Sequence, residues 1–302
     1  MTPDWLAVDW GTSHLRVWLM GPDGAVLDQR RSDRGMGHLS RDQFEPALLA
    51  LVGDALPDGG TVPVIVCGMA GSRQGWAEAP YATVPCAPPS IGAAVAVTTA
   101  DPRLSVFIVP GIKQVSPPDV MRGEETQIAG FLVDDPGFDG VLCLPGTHCK
   151  WVHISAGEVV SFRTFMTGEL FALLEQASVL RHSVKGGDWE ADAFASAVED
   201  AMSRPATVAA ELFSIRAAAL LEGVGPGPSR ARLSGLLIGL ELAGARPYWL
   251  GQDIRVVGAG GIAAAYHDAL AAQGASVATV TGDGMALRGL RTAYETLREA
   301  AQ

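Results

Sequence analysis

At 302 residues, 48% of them apolar and only 18% charged, the chain is long enough for two hydrophobic cores and too apolar to be intrinsically disordered. Its formal net charge of -11, with no compensating basic patch, argues against a nucleic-acid or anionic-membrane partner, because a polyanion would be repelled. Four cysteines (Cys67, Cys86, Cys143, Cys149) without CxxC spacing, a start (MTPDWLAVDW) unlike a signal peptide, and no uncharged apolar run of about 18 residues together predict a cytoplasmic protein with reduced thiols and no membrane span.

In chain order, residues 5–30 predict three strands, WLAVDW, LRVWLM and AVLDQR, the last two joined by the turn GPDG. Ser40 and Gln43 have capping-box spacing ahead of QFEPALLALVGDAL, which predicts a helix despite its early proline. VPVIVCGMAGS and SVFIVPG predict buried strands ending in glycine turns, and RGEETQIAGFL places acidic residues at a helix start, where the dipole favours them. The turn-rich DDPGFDG, 134–140, predicts a link between an N-terminal domain, 1–133, and a C-terminal domain, 134–302, whose final helix is free to pack back on the first. Beyond it, VLCLPGTHCKWVHISAGEVV predicts a second strand–turn–strand unit. Helices follow near 168–180, 190–201, 206–222 and 231–244, then DIRVVGAGG as strand and turn, a helix, the strand SVATV and a helix from about Met285. Each half runs strands first and helices after, which predicts two similar α/β units and not a continuous βαβ array.

The two strand–turn–strand units share a Gly-Thr turn, at Gly11-Thr12-Ser13 and Gly146-Thr147-His148. Small residues in such a turn let backbone N–H groups approach phosphate oxygens. Asp9, at the end of the first strand, is placed to hold Mg²⁺ through water, since Mg²⁺ keeps part of its hydration shell. The second copy has leucine or proline at the acidic position, consistent with one metal anchor and with a second carboxylate repelling phosphate. His148 and Lys150 would share a face in a regular strand and so both point at phosphate. A tight turn alone explains either copy; their pairing at the head of two α/β halves favours nucleotide binding.

The two hairpins and the later VVGAGG resemble the phosphate-1, phosphate-2 and adenosine motifs of the actin, sugar-kinase and heat-shock ATPase superfamily. More narrowly, VDWGTSHLRVWL, CGMAGSRQGWAEAPY, VPGIKQ, DVMRGEETQIAG, LPGTHCKWV, FMTGELFALL and LSGLLIGLEL are similar to blocks of the 2-keto-3-deoxygalactonate kinases. The resemblance implies two actin-like domains with mixed sheets flanked by helices and a nucleotide cleft between them. It also implies ATP and Mg²⁺, with γ-phosphoryl transfer to the terminal hydroxyl of 2-dehydro-3-deoxy-D-galactonate. Gly258, Gly260 and Gly261 are then the adenosine-binding glycines. Partners are a small sugar acid and ATP, with self-association into a homo-oligomer left open.

Phosphoryl transfer to an alcohol calls for a carboxylate that accepts the hydroxyl proton. The pair Gly123-Glu124 resembles the helix-opening Gly-Asp of glycerol-kinase-like enzymes, so Glu124 is the first candidate, Glu125 the second and Glu169 the next. A 2-keto acid brings a carboxylate that invites Arg or Lys. Arg73, Lys113 and Arg122 are the candidates, and Gln74 could read hydroxyls, whereas Trp76 and Tyr81 are expected to pack. Three alternatives stand beside this reading. They are a kinase for another sugar acid such as 2-keto-3-deoxygluconate, a non-enzymatic ATPase, and a dehydrogenase from the lone GxGxxA match GAGGIA, which has no acidic residue at the expected later position.

Overall fold

The computed structural model describes residues 2–88 and 91–300. The alternation of the first strand decides the architecture of the N-terminal part. Along β1 (Trp5–Trp10), Leu6, Val8 and Trp10 point into one core while Trp5 and Ala7 point into another, so both faces are covered and the strand is apolar almost throughout. β2 (Leu15–Met20) and β3 (Val26–Ser32) continue antiparallel from it. After α1 (Phe44–Val52), β4 (Val62–Gly68) pairs parallel to β1. Ser40 N–H donates to Gln43 Oε1 at 2.9 Å, so the capping-box pair does close, over a 3₁₀ turn at Arg41–Gln43 that leads into α1.

β5 (Tyr81–Thr83), β8 (Gly111–Gln114) and β9 (Asp119–Met121) form a separate three-stranded sheet, while β6 (Val95–Val97) and β7 (Leu104–Ile108) complete the main one. The main sheet has the order β3-β2-β1-β4-β7-β6. α2 (Glu124–Asp134) then leads to the second half.

The second sheet repeats the plan. β10 (Gly140–Leu144) and β11 (Cys149–Ser155) pair antiparallel, β12 (Glu158–Phe165) follows, and the helices α3 (Thr167–Gln176), α4 (Ala191–Ser203), α5 (Val208–Leu221), α6 (Pro226–Gly244) and α7 (Arg246–Trp249) intervene. β13 (Asp253–Val257) is parallel to β10; after α8 (Gly260–Ala272), β14 (Ser276–Val280) is parallel to β13. The order β12-β11-β10-β13-β14 matches β3-β2-β1-β4-β7 strand for strand, the two similar α/β units that the repeated hairpin implies. α9 (Met285–Ala300) closes the chain.

The chain divides into one unit of Met1–Phe138, Ser155–Ser161 and Gly282–Gln302 and another of Asp139–Ile154 and Phe162–Thr281. α2 runs through Asp134, so the division falls inside the DDPGFDG stretch and not at its start. In the first unit α9 covers one face of the main sheet with Leu287, Leu290 and Tyr294, the last stacked on Trp5 at 4.3 Å between ring centroids. It also crosses α2 with backbone nearly in contact: a Cβ on Gly130 would run into the Met285 carbonyl, and one on Gly289 into that of Thr126. No helix among the described residues is long and apolar enough to cross a membrane.

Candidate active site

In the first unit the Gly-Thr turn is held from behind through its carbonyls. Met36 N–H donates to Gly11 C=O at 3.0 Å, Gly37 N–H to Thr12 C=O at 2.8 Å and Gly35 N–H to Ser13 C=O at 3.2 Å. The approach is so close that a Cβ on Gly35 would collide with Thr12 and Ser13 backbone, which is why glycine stands there. Among the described residues the N–H groups of Thr12 and Ser13 donate to no backbone acceptor, and both residues are exposed. A turn whose acceptors are engaged behind it and whose donors face out suits an anion.

The second unit builds its turn in the same way. Glu169 N–H donates to Thr147 C=O at 2.9 Å, and a Cβ on Gly168 would collide with the Gly146 carbonyl. Gly146, Thr147 and His148 are exposed, and the N–H groups of Gly146 and Thr147 donate to no backbone acceptor among the described residues. His148 Nε2 lies 2.6 Å from Glu169 Oε2. Lys150 departs from the expected shared face: His148 sits in the turn ahead of β11, whereas Lys150 is inside the strand and only 4% exposed. The strand begins one residue too late to align them.

Asp9 lies at the end of β1, cross-strand from Arg16, whose guanidinium pairs with its carboxylate; the Asp9 side chain keeps 14% of its surface exposed. Its strand neighbour on the other side is Cys67, followed by Gly68, where β4 ends. Gly68 has φ of 86° and a Cβ there would sit 2.6 Å from the Trp10 carbonyl oxygen, so the position requires glycine. Gly123, with φ of 107°, packs in turn against Gly68, and this brings the start of α2 to the Asp9 end of the sheet.

The two glutamates at that helix start differ sharply. Glu124 is half-buried and its Oε2 accepts the Arg122 N–H at 3.1 Å. Glu125 is 1% exposed; it accepts the Gly123 N–H at 2.6 Å and the Thr126 hydroxyl at 3.0 Å. Burial first, and then the neighbouring Glu124 charge, push its carboxyl up to about 7.

Among the basic candidates, Arg73 is largely exposed and lies 4.0 Å from the Glu78 carboxylate, in a loop whose carbonyls at Arg73 and Gly75 accept from Arg41. Gln74 beside it and Lys113 on β8 are exposed. Arg122 is buried: its Nη2 donates to Ala79 C=O at 2.8 Å, its guanidinium lies 4.3 Å from the Tyr81 ring centroid, and its Nη1 has no hydrogen-bond partner among the described residues. Trp76 packs against Trp10 and Phe44, as expected of a core aromatic. Gly258 follows β13, and Gly260 and Gly261 open α8, exposed and with nothing within 4 Å of a Cβ placed on either.

Sequence reasoning missed Arg16, which a count of cross-strand partners could have found, and Gly35 and Gly168, whose need for glycine depends on distant backbone.

A family model described as 2-keto-3-deoxy-galactonokinase matches residues 9–293. A protein of Rhizobium meliloti (strain 1021), named a probable 2-dehydro-3-deoxygalactonokinase, is 43% identical over 302 residues and covers 96% of each chain. The 2-dehydro-3-deoxygalactonokinase of Escherichia coli (strain K12) is 37% identical, covering 97% of this chain and 98% of its own. A Sinorhizobium meliloti crystal structure, of a candidate 2-dehydro-3-deoxygalactonokinase, superposes with a TM-score of 0.88 at 40% identity, over 97% of this chain and 99% of that one. Component A of the Acidaminococcus fermentans (R)-2-hydroxyglutaryl-CoA dehydratase shares the fold, with a TM-score of 0.51 at 15% identity and 99% of both chains covered. Duplicated sheets, paired Gly-Thr turns and a match over nearly the whole length lead to one statement: the chain belongs to the 2-keto-3-deoxy-galactonokinase family.

Proposed function

We propose that this protein is an ATP-dependent kinase that transfers the γ-phosphoryl group to the terminal hydroxyl of 2-dehydro-3-deoxy-D-galactonate, giving the 6-phosphate. What supports the reading is the pair of Gly-Thr turns, each with at least one carbonyl bonded from behind and two successive exposed residues whose N–H groups donate to no backbone acceptor among the described residues, in a chain of this family. In the first unit Thr12 and Ser13, and in the second Gly146, Thr147 and His148, offer N–H or side-chain donors to phosphate oxygens, while the Gly11 N–H is taken by the His14 carbonyl at 2.9 Å and shapes its turn; Gly258 follows β13 ahead of Gly260 and Gly261, which leave room for the nucleoside. Lys150 supplies positive charge behind the second turn.

Among the described residues no group of three or more His, Cys, Asp or Glu could hold a metal ion. Mg²⁺ does not need such a cage, because one carboxylate, water and the nucleotide's own phosphates suffice. Asp9, partly exposed, its second oxygen toward Gly68, fits that requirement. When bound, Mg²⁺ would neutralise charge on the phosphates. Arg16 keeps the Asp9 carboxylate in place.

Glu124 accepts the proton of the attacking hydroxyl. Its half-buried position leaves it reachable, whereas Glu125 is enclosed by its own helix start. Arg73, with Gln74 beside it, and Lys113 are the exposed groups for the substrate carboxylate and hydroxyls. Arg122 contributes from behind, bracing Ala79 and Tyr81 against the start of α2.

ADP release measured over a panel of sugar acids, with both C4 epimers of the 2-keto-3-deoxy acid included, tests the substrate. A preference for the gluconate epimer would move the assignment to that acid, and nucleotide hydrolysis with no acceptor would remove the kinase reading. Single-turnover transfer by Glu124→Gln and Glu125→Gln separates the two carboxylates, with a loss of about 10²–10⁴ in rate expected at the true base.

A further inference from the structure

Apart from Lys150, Gly168 and Glu169, three sequence blocks have no role in the reaction as described so far: CKWV after the second turn, FMTGEL at the start of α3 and LIGLEL within α6. They meet on one carboxylate. Glu241 of α6 is 2% exposed and, besides the Cys149 thiol, takes three N–H or O–H side-chain donors: Trp151 Nε1 at 2.7 Å on Oε1, and the Tyr266 hydroxyl at 2.7 Å with the Thr167 hydroxyl on Oε2.

Each donor sits on an element that touches the nucleotide machinery. Trp151 is on β11, the strand that leaves the Gly146–His148 turn. Thr167 is the first residue of α3 and is followed by Gly168 and Glu169, the pair that backs that turn through the Thr147 carbonyl, the Gly146 carbonyl and the His148 ring. Tyr266 is on α8, the helix opened by Gly260 and Gly261. A buried carboxylate is costly, and an apolar residue of similar volume would pack there at less expense. What the carboxylate adds is direction, because three donors aimed at two oxygens hold three elements in one relative geometry.

We propose that Glu241 is a positioning residue for the nucleotide: through Thr167 and Trp151 it sets the conformation in which the second Gly-Thr turn receives phosphate. The proposal rests on the reading that this turn binds the phosphates of ATP.

The test compares Glu241→Gln, Thr167→Val and Thr167→Ser with Gly146→Val in the full chain, measuring KM for ATP, KM for the sugar acid, kcat, ADP affinity and thermal midpoint. Gly146→Val examines the underlying reading, because a Cβ there would make only an ordinary contact, 3.9 Å from the His148 carbonyl, while the side chain covers the exposed turn; its thermal midpoint checks the fold. Thr167→Val and Glu241→Gln are expected to raise KM for ATP about ten-fold, the loss of one charge-assisted hydrogen bond, while KM for the sugar acid stays within about two-fold. Thr167→Ser keeps the hydroxyl and should behave as the parent. If Thr167→Val lowers only the thermal midpoint while Gly146→Val weakens ADP binding, Glu241 is a packing residue and the positioning role is overturned. If Gly146→Val leaves nucleotide affinity intact, the phosphate reading fails and this proposal with it. Should Glu241→Gln not fold, the contrast between Thr167→Val and Thr167→Ser decides alone.

Discussion

Glu125→Gln should change how the stability of this protein depends on pH. The carboxyl is 1% exposed, and burial together with the adjacent Glu124 charge raises it from 4.5 to about 7, outweighing the Gly123 N–H and Thr126 hydroxyl that favour its charged form. Between those two values the folded chain keeps a proton that the unfolded chain has released. Stability therefore falls as pH rises through that window, and the deficit is complete above about pH 7. At 1.36 kcal/mol per pH unit, the displacement from 4.5 to about 7 corresponds to about 3 kcal/mol. Glutamine has no proton to lose; its Oε1 can accept the Gly123 N–H and its amide can donate to the Thr126 oxygen. Relative to the parent, the variant should gain up to about 3 kcal/mol between about pH 5 and about pH 8. Urea unfolding of both proteins across that range measures the difference directly, and the other raised carboxyl, Glu241, is common to both and cancels. A difference that stays flat with pH would refute the argument, placing the Glu125 carboxyl near its ordinary value despite its burial.

Three further outcomes are expected. Asp9→Asn should abolish most turnover while leaving sugar-acid affinity, read by isothermal titration, nearly unchanged, because the carboxylate is assigned to the metal and not to the acceptor. Gly261→Val should raise KM for ATP and not for the sugar acid; it is a cleaner probe than Gly260→Val, since Gly260 has φ of 74° and a side chain there is strained whatever the space. Gly130→Ala should lose about 1–3 kcal/mol in urea unfolding, because its Cβ would press on the Met285 carbonyl where α2 crosses α9, while Gly137→Ala, with nothing within 4 Å, should be neutral by comparison.

The duplicated architecture is legible in the sequence because its signals are local. Alternating apolar residues, a Gly-Thr turn, a second turn and another strand recur in both halves, and each is set by neighbours a few residues away. α6 begins at Pro226, ahead of the expected 231, because a proline at the first helical position reads as a turn until the helix behind it is seen. The candidate residues of the two turns are legible for the same local reason. What the tertiary structure alone decides is burial and approach. Glu124 and Glu125 are indistinguishable as letters, yet the packing of α2 against the sheet and α9 leaves one half-exposed and encloses the other. Glu241 reads as a polar residue in an apolar helix until Trp151, Thr167 and Tyr266, between 25 and 90 residues away in sequence, converge on it. Segment 155–161 and the last helix join the first unit although they follow the link in sequence. Contacts of this kind depend on where distant elements come to rest against one another, which no local pattern of residues encodes.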